Sequence, residues 1–360
     1  MLFNALKELF AWNKSRLECF AMIILGMISA ESVNLAHIAS HVKQTTSTKS
    51  NSIYKRIQNF FSGFEFSQED VAKFVVKLFA FTNINLIIDR TNWWHGSKHI
   101  NYLVLSIRYK NVAIKIFSIA LNKCANSTAE QRIEILKRVI TCFGKNIISD
   151  FCGDREFLCV QLLKYLVEEH IPFTLRIKGD SVIKNSTGQK VAIRALLRDV
   201  KPGEIRILKN IILLKQTVDV VAYIRGTELV MLATNHDIDT IQDRYINRNQ
   251  IETMFKAMKT QGFNLEDTHI TNPARLERLM GTMAIAFAWA YKLGDYLDEI
   301  HPIKIKSHGR RLRSVFQTGF KFLIRLLSNS TQRINELYAI IKLIFLGQGT
   351  PIDSINISWL

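Results

Sequence analysis

An α/β fold with helical regions at both ends and a β-rich block inserted in its second half is predicted by three observations. Apolar residues recur at helical spacing through residues 1–80, the period changes to that of strands from Asn83, and the order strand, strand, strand, helix, strand, helix then follows. With 360 residues, 48% of them apolar, the chain has material for two or three domains. Its 16 Gly and 5 Pro are too few for a collagenous or low-complexity chain.

The N-terminal region, 1–82, carries stripes such as Leu2, Ala5, Leu6, Leu9, Phe10 and Val71, Phe74, Val75, Leu78, Phe79. Within it, VNLAHIASHV and IYKRIQNFF flank the polar KQTTSTKSNS. This pattern suits a helix-turn-helix with Lys55 and Arg56 near DNA, and equally a plain helical bundle with a solvated turn. From residue 83, INLIIDRTNWWH, HINYLVLSIRY and VAIKIFSIAL read as a three-stranded meander, the first strand closing in a polar turn. Asn126-Ser127-Thr128 offers caps for a helix over Ala129 to Phe143. A fourth strand, NIISDFCGD, leads straight into a helix, REFLCVQLLKYLVEEH. Residues 171–236 alternate as strands, with Phe173, Leu175 and Ile177 against Thr174, Arg176 and Lys178, followed by EIRILKN, VDVVAYIRG and ELVMLATN. Asp239 or Thr240 can then cap a long helix to about Gly262, and Asn272-Pro273 opens another through Leu293. The expected regions are therefore 1–82, 83–300 with the β block inside it, and a basic helical region over 301–360.

A formal net charge of +17 calls for an anionic partner, and nucleic acid fits because each neutralised phosphate releases counterions. The stretch from His301 to Asn335 concentrates this charge, with Lys304, Lys306, Arg310, Arg311, Arg313, Lys321, Arg325 and Arg333 and no acid. Its apolar stripe, Phe316, Phe320, Leu323 and Leu327, would also suit a membrane surface, but beside an α/β core the basic helix favours DNA. The apolar runs Phe20 to Ala30 and Met283 to Ala290 fall short of the ~20 residues of a membrane span, so no membrane partner is expected. The first residues mix acids and bases with no apolar signal core, and the five cysteines contain no C-x-x-C pair, so a cytoplasmic location without disulfides or zinc is expected.

Three acids are placed where chemistry collects. Asp89 is expected to end the first strand and Asp154 the fourth, and the ends of strands are where α/β sheets bind ligands. Glu252 lies on the long helix in Tyr245-x2-Arg248-x3-Glu252-x6-Lys259. At about 100° per residue these four fall in one stripe about 60° wide, beside the apolar Ile251, Met254, Phe255 and Met258. Taken alone, such a stripe is also what a solvated helix face carries.

In this order, Asp89-Arg90-Thr91-Asn92-Trp93, Asp154-Arg155-Glu156-Phe157 and the Tyr245, Arg248, Glu252, Lys259 signature resemble the insertion-sequence DDE transposases of the YREK-signature group, over residues 84 to 295 or so. The resemblance implies an RNase H-like catalytic domain with a mixed sheet and an inserted β-rich subdomain. It implies an acidic triad, Asp89, Asp154 and Glu252, that holds two Mg2+ or Mn2+ ions, a hard cation offsetting the repulsion of three clustered carboxylates. Two such ions activate a water or a DNA 3′-hydroxyl and stabilise the leaving oxygen of an in-line displacement. Tyr245, Arg248 and Lys259 would contact phosphates of the transposon end. The basic C-terminal residues, among them Arg310, Arg311 and Arg313, would bind DNA. The implied partners are the terminal inverted repeats and target DNA, met by a homodimer on DNA in the bacterial cytoplasm and at the nucleoid.

Relatives that cut through a DNA hairpin stack a flipped base on a Trp of the insertion. Here the five Trp, at 12, 93, 94, 289 and 359, all lie outside residues 171–236, leaving Tyr223 as a substitute ring or as ordinary packing. Asp150, four residues before Asp154, is a rival ligand. Glu156 reads as a first-turn helix residue, Cys152 as core, Trp93 and Trp94 as packing, and Arg90 and Asn92 as DNA contacts or turn residues. His95 and His99 have metal spacing but flank Gly96 in a hairpin. Two other functions share these features: a non-catalytic DNA-binding regulator or transposition inhibitor, and an RNase H-like nuclease without strand transfer.

Overall fold

A computed structural model describes residues 6–7, 10–43, 47–121, 124–184, 188–236, 238, 241–328 and 334–346. The expected caps Asp239 and Thr240, together with Arg333 and Trp359, lie outside them. The chain divides into two compact units, residues 81–92 with 99–253, and residues 1–80 with 93–98 and 254–360. Residues 254–300, expected in the catalytic region, thus pack with the N-terminal helices.

The first of these units is built on one eight-stranded sheet. Its strands are β1 (Ile84–His95), β2 (Lys98–Tyr109), β3 (Val112–Ala120), β4 (Ile148–Gly153), β5 (Phe173–Arg176), β8 (Ile205–Leu213), β9 (Gln216–Arg225) and β10 (Glu228–Thr234), and a separate ribbon pairs β6 (Val182–Lys184) with β7 (Lys190–Ala192). The order across the sheet is β3-β2-β1-β4-β5-β10-β9-β8. β4 runs parallel to β1 and β5 parallel to β4, whereas β3 is antiparallel to β2. An antiparallel meander followed by two parallel strands in the order 3-2-1-4-5 is the RNase H-like arrangement. The inserted strands β10, β9 and β8 continue this sheet by antiparallel pairing from β5, so most of the insertion extends the core rather than forming a subdomain apart. β2 is buried from Ile100 through Ile107, as a strand covered on both faces must be.

Helices α5 (Ala129–Phe143) and α6 (Val160–Glu168) form the crossovers and pack on each other, and a single turn, α7 (Ile193–Leu196), follows β7. A capping box starts α5: Thr128 Oγ1 accepts from the Gln131 amide at 3.3 Å, and Gln131 Oε1 accepts from the Thr128 amide at 2.9 Å. The helix expected from Arg155 begins only at Val160, because residues 155–157 form a turn. The long helix expected after residue 240 is also broken. It comprises α8 (Ile241–Ile246), a 3-10 turn over Asn247–Asn249 and α9 (Gln250–Lys259). Two Asn within three residues favour such a break, since their side chains compete for local hydrogen bonds, and Gln250 Nε2 donates to Asn247 Oδ1 at 3.1 Å.

The other unit is helical, with α1 (Lys14–Ala30), α2 (Leu35–Lys43), α3 (Ser50–Gly63) and α4 (Gln68–Leu78), then α10 (Pro273–Ile300), α11 (Val315–Ser328) and α12 (Ile334–Leu346). Phe10, Trp12, Phe20, Phe60, Phe64, Phe66 and Phe74 form one aromatic cluster, which places Trp12 in packing. α10 opens on Pro273 with Asn272 Oδ1 accepting from the Arg275 amide at 3.0 Å, and is buried without a break from Leu279 to Tyr291. It meets α11 backbone to backbone. A Cβ on Gly294 would lie 2.0 Å from the Val315 carbonyl oxygen, and one on Gly319 would lie 2.0 Å from that of Ala290, so only glycine fits either position. Residues 301–314 are irregular, which puts Arg310, Arg311 and Arg313 on a loop and not on the helix expected there. Among the described residues no single helix is long and apolar enough to cross a membrane.

Candidate active site

The parallel pairing of β1 with β4 ends at Ile88 opposite Gly153, and the next residue on each strand is an aspartate, Asp89 and Asp154. Because paired strands lie about 4.8 Å apart, this register alone sets the two carboxylates side by side. Asp89 lies inside its strand, which runs on to His95, and not at the strand end expected from sequence; what ends there is the pairing with β4. Gly153 suits the tight approach, since a Cβ would lie 3.0 Å from Ile88 Cγ2 and 3.1 Å from Leu175 Cδ2 and both side chains would have to shift. Each aspartate is anchored by its neighbour, Asp89 Oδ1 accepting from the Arg90 amide and Asp154 Oδ1 from the Arg155 amide, both at 2.8 Å. Arg90 then closes a fork on Glu156, with Nε and Nη2 each 2.8 Å from one carboxylate oxygen. The fork ties the Asp89 and Asp154 strings together and fixes the role of both residues, which sequence left open for Arg90 and read as helical for Glu156.

The helical segment closes the site from its other side. Tyr245 on α8 is buried among Cys152, Val221, Tyr223, Val230, Leu232 and Ile241, and its hydroxyl donates to Asp154 Oδ1 at 3.3 Å. Arg248, on the 3-10 turn, reaches three carboxylates: Nη1 lies 3.5 Å from Asp89 Oδ2, and Nη2 lies 3.9 Å from Asp154 Oδ2 and 3.5 Å from Glu252 Oε1. Tyr245 and Arg248 therefore reach the aspartates, and Glu252 reaches Arg248, although the helix carrying them is broken. Arg176 at the end of β5 adds a second cation, 3.8 Å from Asp154 Oδ1, while also pairing with Glu228. Sequence alternation placed Arg176 on a strand but gave no sign of this contact; its position three residues before the Gly179 turn, on the strand next to β4, was the available clue.

Burial sets the electrostatics. It raises the carboxyl of Asp89 from the ordinary 3.8 to about 6, with Glu156 and Asp154 adding to the rise and the Arg90 amide and Arg248 opposing it. Burial and the neighbouring Asp154 also push the Tyr245 phenol up, so it serves as a neutral hydrogen-bond donor. The buried Cys152 thiol is pushed up as well, consistent with a core residue.

The remaining predicted residues separate from this cluster. Lys259 pairs with Glu266 at 2.9 Å and sits 5.7 Å over the ring of Trp93. Arg311 pairs with Asp298 at 2.5 Å, and Arg310 and Arg313 are exposed on the same loop. Asp150 is buried on β4 and accepts from Thr174 Oγ1 at 3.0 Å, a structural partner and not a contact of Arg248. Tyr223 is 5% exposed in the core around Tyr245, so it is packing and not a stacking ring. His95 faces His269 ring to ring at 5.4 Å, Trp93 is buried, and Trp94 is 63% exposed instead of packed. Arg56 donates to the Ser15 carbonyl at 3.4 Å, and Lys55 is exposed on α3.

Among the described residues no group of three His, Cys, Asp or Glu is close-set enough to hold a metal ion as it stands. The acids converge on a guanidinium, and their all-oxygen donor set is the chemistry that Mg2+ or Mn2+ selects. If the Arg90–Glu156 fork orients the two aspartates, Glu156→Gln should slow any cleavage on the order of 10- to 100-fold while leaving DNA affinity unchanged, the usual cost of removing a support behind a ligand. Single-turnover rates across a metal titration would show this, and an unchanged rate would remove the fork from the site.

Residues 124–289 match the family model described as the transposase DDE domain, a range that includes Asp154 and Glu252 and starts beyond Asp89. No curated protein sequence matches the chain. Among solved structures, a piggyBac transposase synaptic complex with hairpin DNA is similar at 12% identity over 90% of this chain and 73% of that one, with a TM-score of 0.48. The endonuclease V of Bacillus subtilis is similar at 11% identity over 66% of this chain and 92% of that one, with a TM-score of 0.25.

Proposed function

We propose that the protein is an insertion-sequence transposase of the DDE type, which cuts DNA at the ends of its element and joins them to a target. The observation that carries the reading is the meeting of Asp89, Asp154 and Glu252 around Arg248 at the end of the parallel strands, within 4 Å of one guanidinium. The match to a transposase domain model supports it.

Asp89, Asp154 and Glu252 would hold two divalent ions, which when bound supply Lewis acidity at phosphorus and a deprotonated water or 3′-hydroxyl. The protein's own groups do the rest. Arg248 neutralises the carboxylates in the ion-free chain, and its planar fork suits a phosphate oxygen when DNA approaches. Tyr245 holds Asp154 in place by its hydroxyl, and Arg176 limits the negative charge there. Lys259, Arg310, Arg311 and Arg313 would neutralise DNA phosphates elsewhere, in a homodimer that holds both ends together. The YREK grouping rests on Tyr245, Arg248, Glu252 and Lys259 alone.

The test uses the full-length protein and a plasmid carrying the DNA that flanks its gene on both sides. Cuts at the flanking repeats in Mg2+ or Mn2+, followed by joining of the 3′ ends to a second plasmid, are the expected result. Binding without cutting would overturn the reading in favour of a regulator, and cutting without joining in favour of a nuclease.

A further inference from the structure

Beyond the carboxylates, the same end of the sheet carries an open pocket of about 690 Å³ whose lining includes Arg155, Lys178, Arg194 and Arg198, with one acid, Asp180. Arg155 directly follows Asp154, and Lys178, Gly179 and Asp180 leave β5, which runs parallel to β4, so the pocket opens where the parallel strands end. Arg194 and Arg198 come from the segment after β7, which is held by the Ile193 amide donating to the Ser181 carbonyl at 2.8 Å. Gly179 faces this segment, since a Cβ there would lie in ordinary contact, 3.4 Å, with Arg194 Cδ.

The pocket carries a net positive charge, with four cations against the lining Asp180 and with Asp199 acting on Arg198 from outside the lining. Arg155, Lys178, Arg194 and Arg198 are all exposed, and among the described residues none has a carboxylate within ion-pairing distance. Arg176 and Arg206 in the same unit are by contrast fully engaged, Arg206 with Asp199 at 2.7 Å and Glu204 at 2.6 Å. Four cations against one lining carboxylate focus a net positive field that a neighbouring polyanion would complete.

We propose that this pocket is a DNA-backbone subsite in which Arg155, Lys178, Arg194 and Arg198 hold the phosphodiesters of the strand adjoining Asp154. The proposal rests on the reading of the protein as a DNA-processing enzyme, and its test runs without chemistry, in EDTA, so that a protein that never cuts still reports on the pocket. Arg194 and Arg198 are exposed, and Arg194→Gln with Arg198→Gln should fold normally, which circular dichroism checks. A control that gives up equal charge, Lys137→Gln with Lys164→Gln, lies on α5 and α6.

Affinity for duplex DNA is measured from 50 to 300 mM salt. The Arg pair variant should bind about tenfold or more weakly than the control, with the slope of log affinity against log salt reduced by about 2, roughly one for each phosphate no longer neutralised. A decrease confined to duplex carrying the element's ends assigns the pocket to the end strand, and a decrease that extends to unrelated duplex assigns it to target DNA. A slope and affinity equal to the control's on both duplexes would overturn the proposal.

Discussion

Asp154→Asn should reduce metal-dependent DNA cleavage by about a thousandfold or more in single-turnover assays, while DNA affinity measured without metal stays near the wild-type value. Asn keeps the acceptor that the Arg155 amide uses at 2.8 Å, so the turn survives. What disappears is the charge on which Tyr245, Arg176 and Arg248 converge. A metal that clamps a phosphoryl group contributes several kcal/mol to the transition state, and each 1.36 kcal/mol is a factor of ten in rate. Asp150→Asn is the informative companion. Asp150 lies four residues earlier on the same strand, yet it is buried against Thr174 and makes no contact with Arg248. Its substitution should leave the cleavage rate within a few fold of wild type. Equal decreases in the two variants would mean that Asp154 owes its effect to the strand and not to the site.

That contrast also marks how far the sequence could be read. Strand identity, the Thr128 and Asn272 caps and the three carboxylates are visible because each depends on local pattern, a period of two or 3.6 or a cap at a fixed offset. The convergence of Asp89 with Asp154, 65 residues apart in sequence, depends on register between strands, which no local pattern carries; only the resemblance of the motif strings pointed to it. The break at Asn247–Asn249 shows the opposite failure. One continuous helix would put Tyr245, Arg248 and Glu252 on one stripe, yet α8 packs on β5 and a 3-10 turn separates it from α9, so their meeting does not come from one straight helix. The Arg90–Glu156 fork and the ion pair of Arg176 with Asp154 were illegible for a further reason: Arg, Glu and Asp at a strand end look alike whether they face solvent or each other. Likewise, the pocket's charge is less legible than the C-terminal run, because Arg155, Lys178, Arg194 and Arg198 are scattered in sequence and gathered only by the turn after β5 and the segment after β7.

Asp89→Asn should make the protein more stable as it makes it inactive, and the gain should depend on pH in a defined direction. In the fold the Asp89 carboxyl titrates at about 6 against an ordinary 3.8, chiefly because burial penalises its charge. A raised acid means that the folded state holds its proton longer than the unfolded chain does. Between pH 3.8 and about 6 the folded state therefore binds more protons, stability falls as pH rises through that window, and the deficit persists at higher pH. Below pH 3.8 both states are protonated and the penalty vanishes. Asn can accept from the Arg90 amide as the carboxylate does, but it carries no charge to desolvate. In EDTA at pH 8 the variant should exceed wild type by up to about 3 kcal/mol, from 1.36 kcal/mol per pH step between the two titration points, with the attraction to Arg248 already opposing the rise. Denaturation midpoints of both proteins from about pH 3.5 to 8 should converge at the acid end, separate between pH 3.8 and about 6, and stay apart by a constant amount above that. A difference that stays constant with pH, or a variant less stable at pH 8, would show that Asp89 is not held at a cost to the fold.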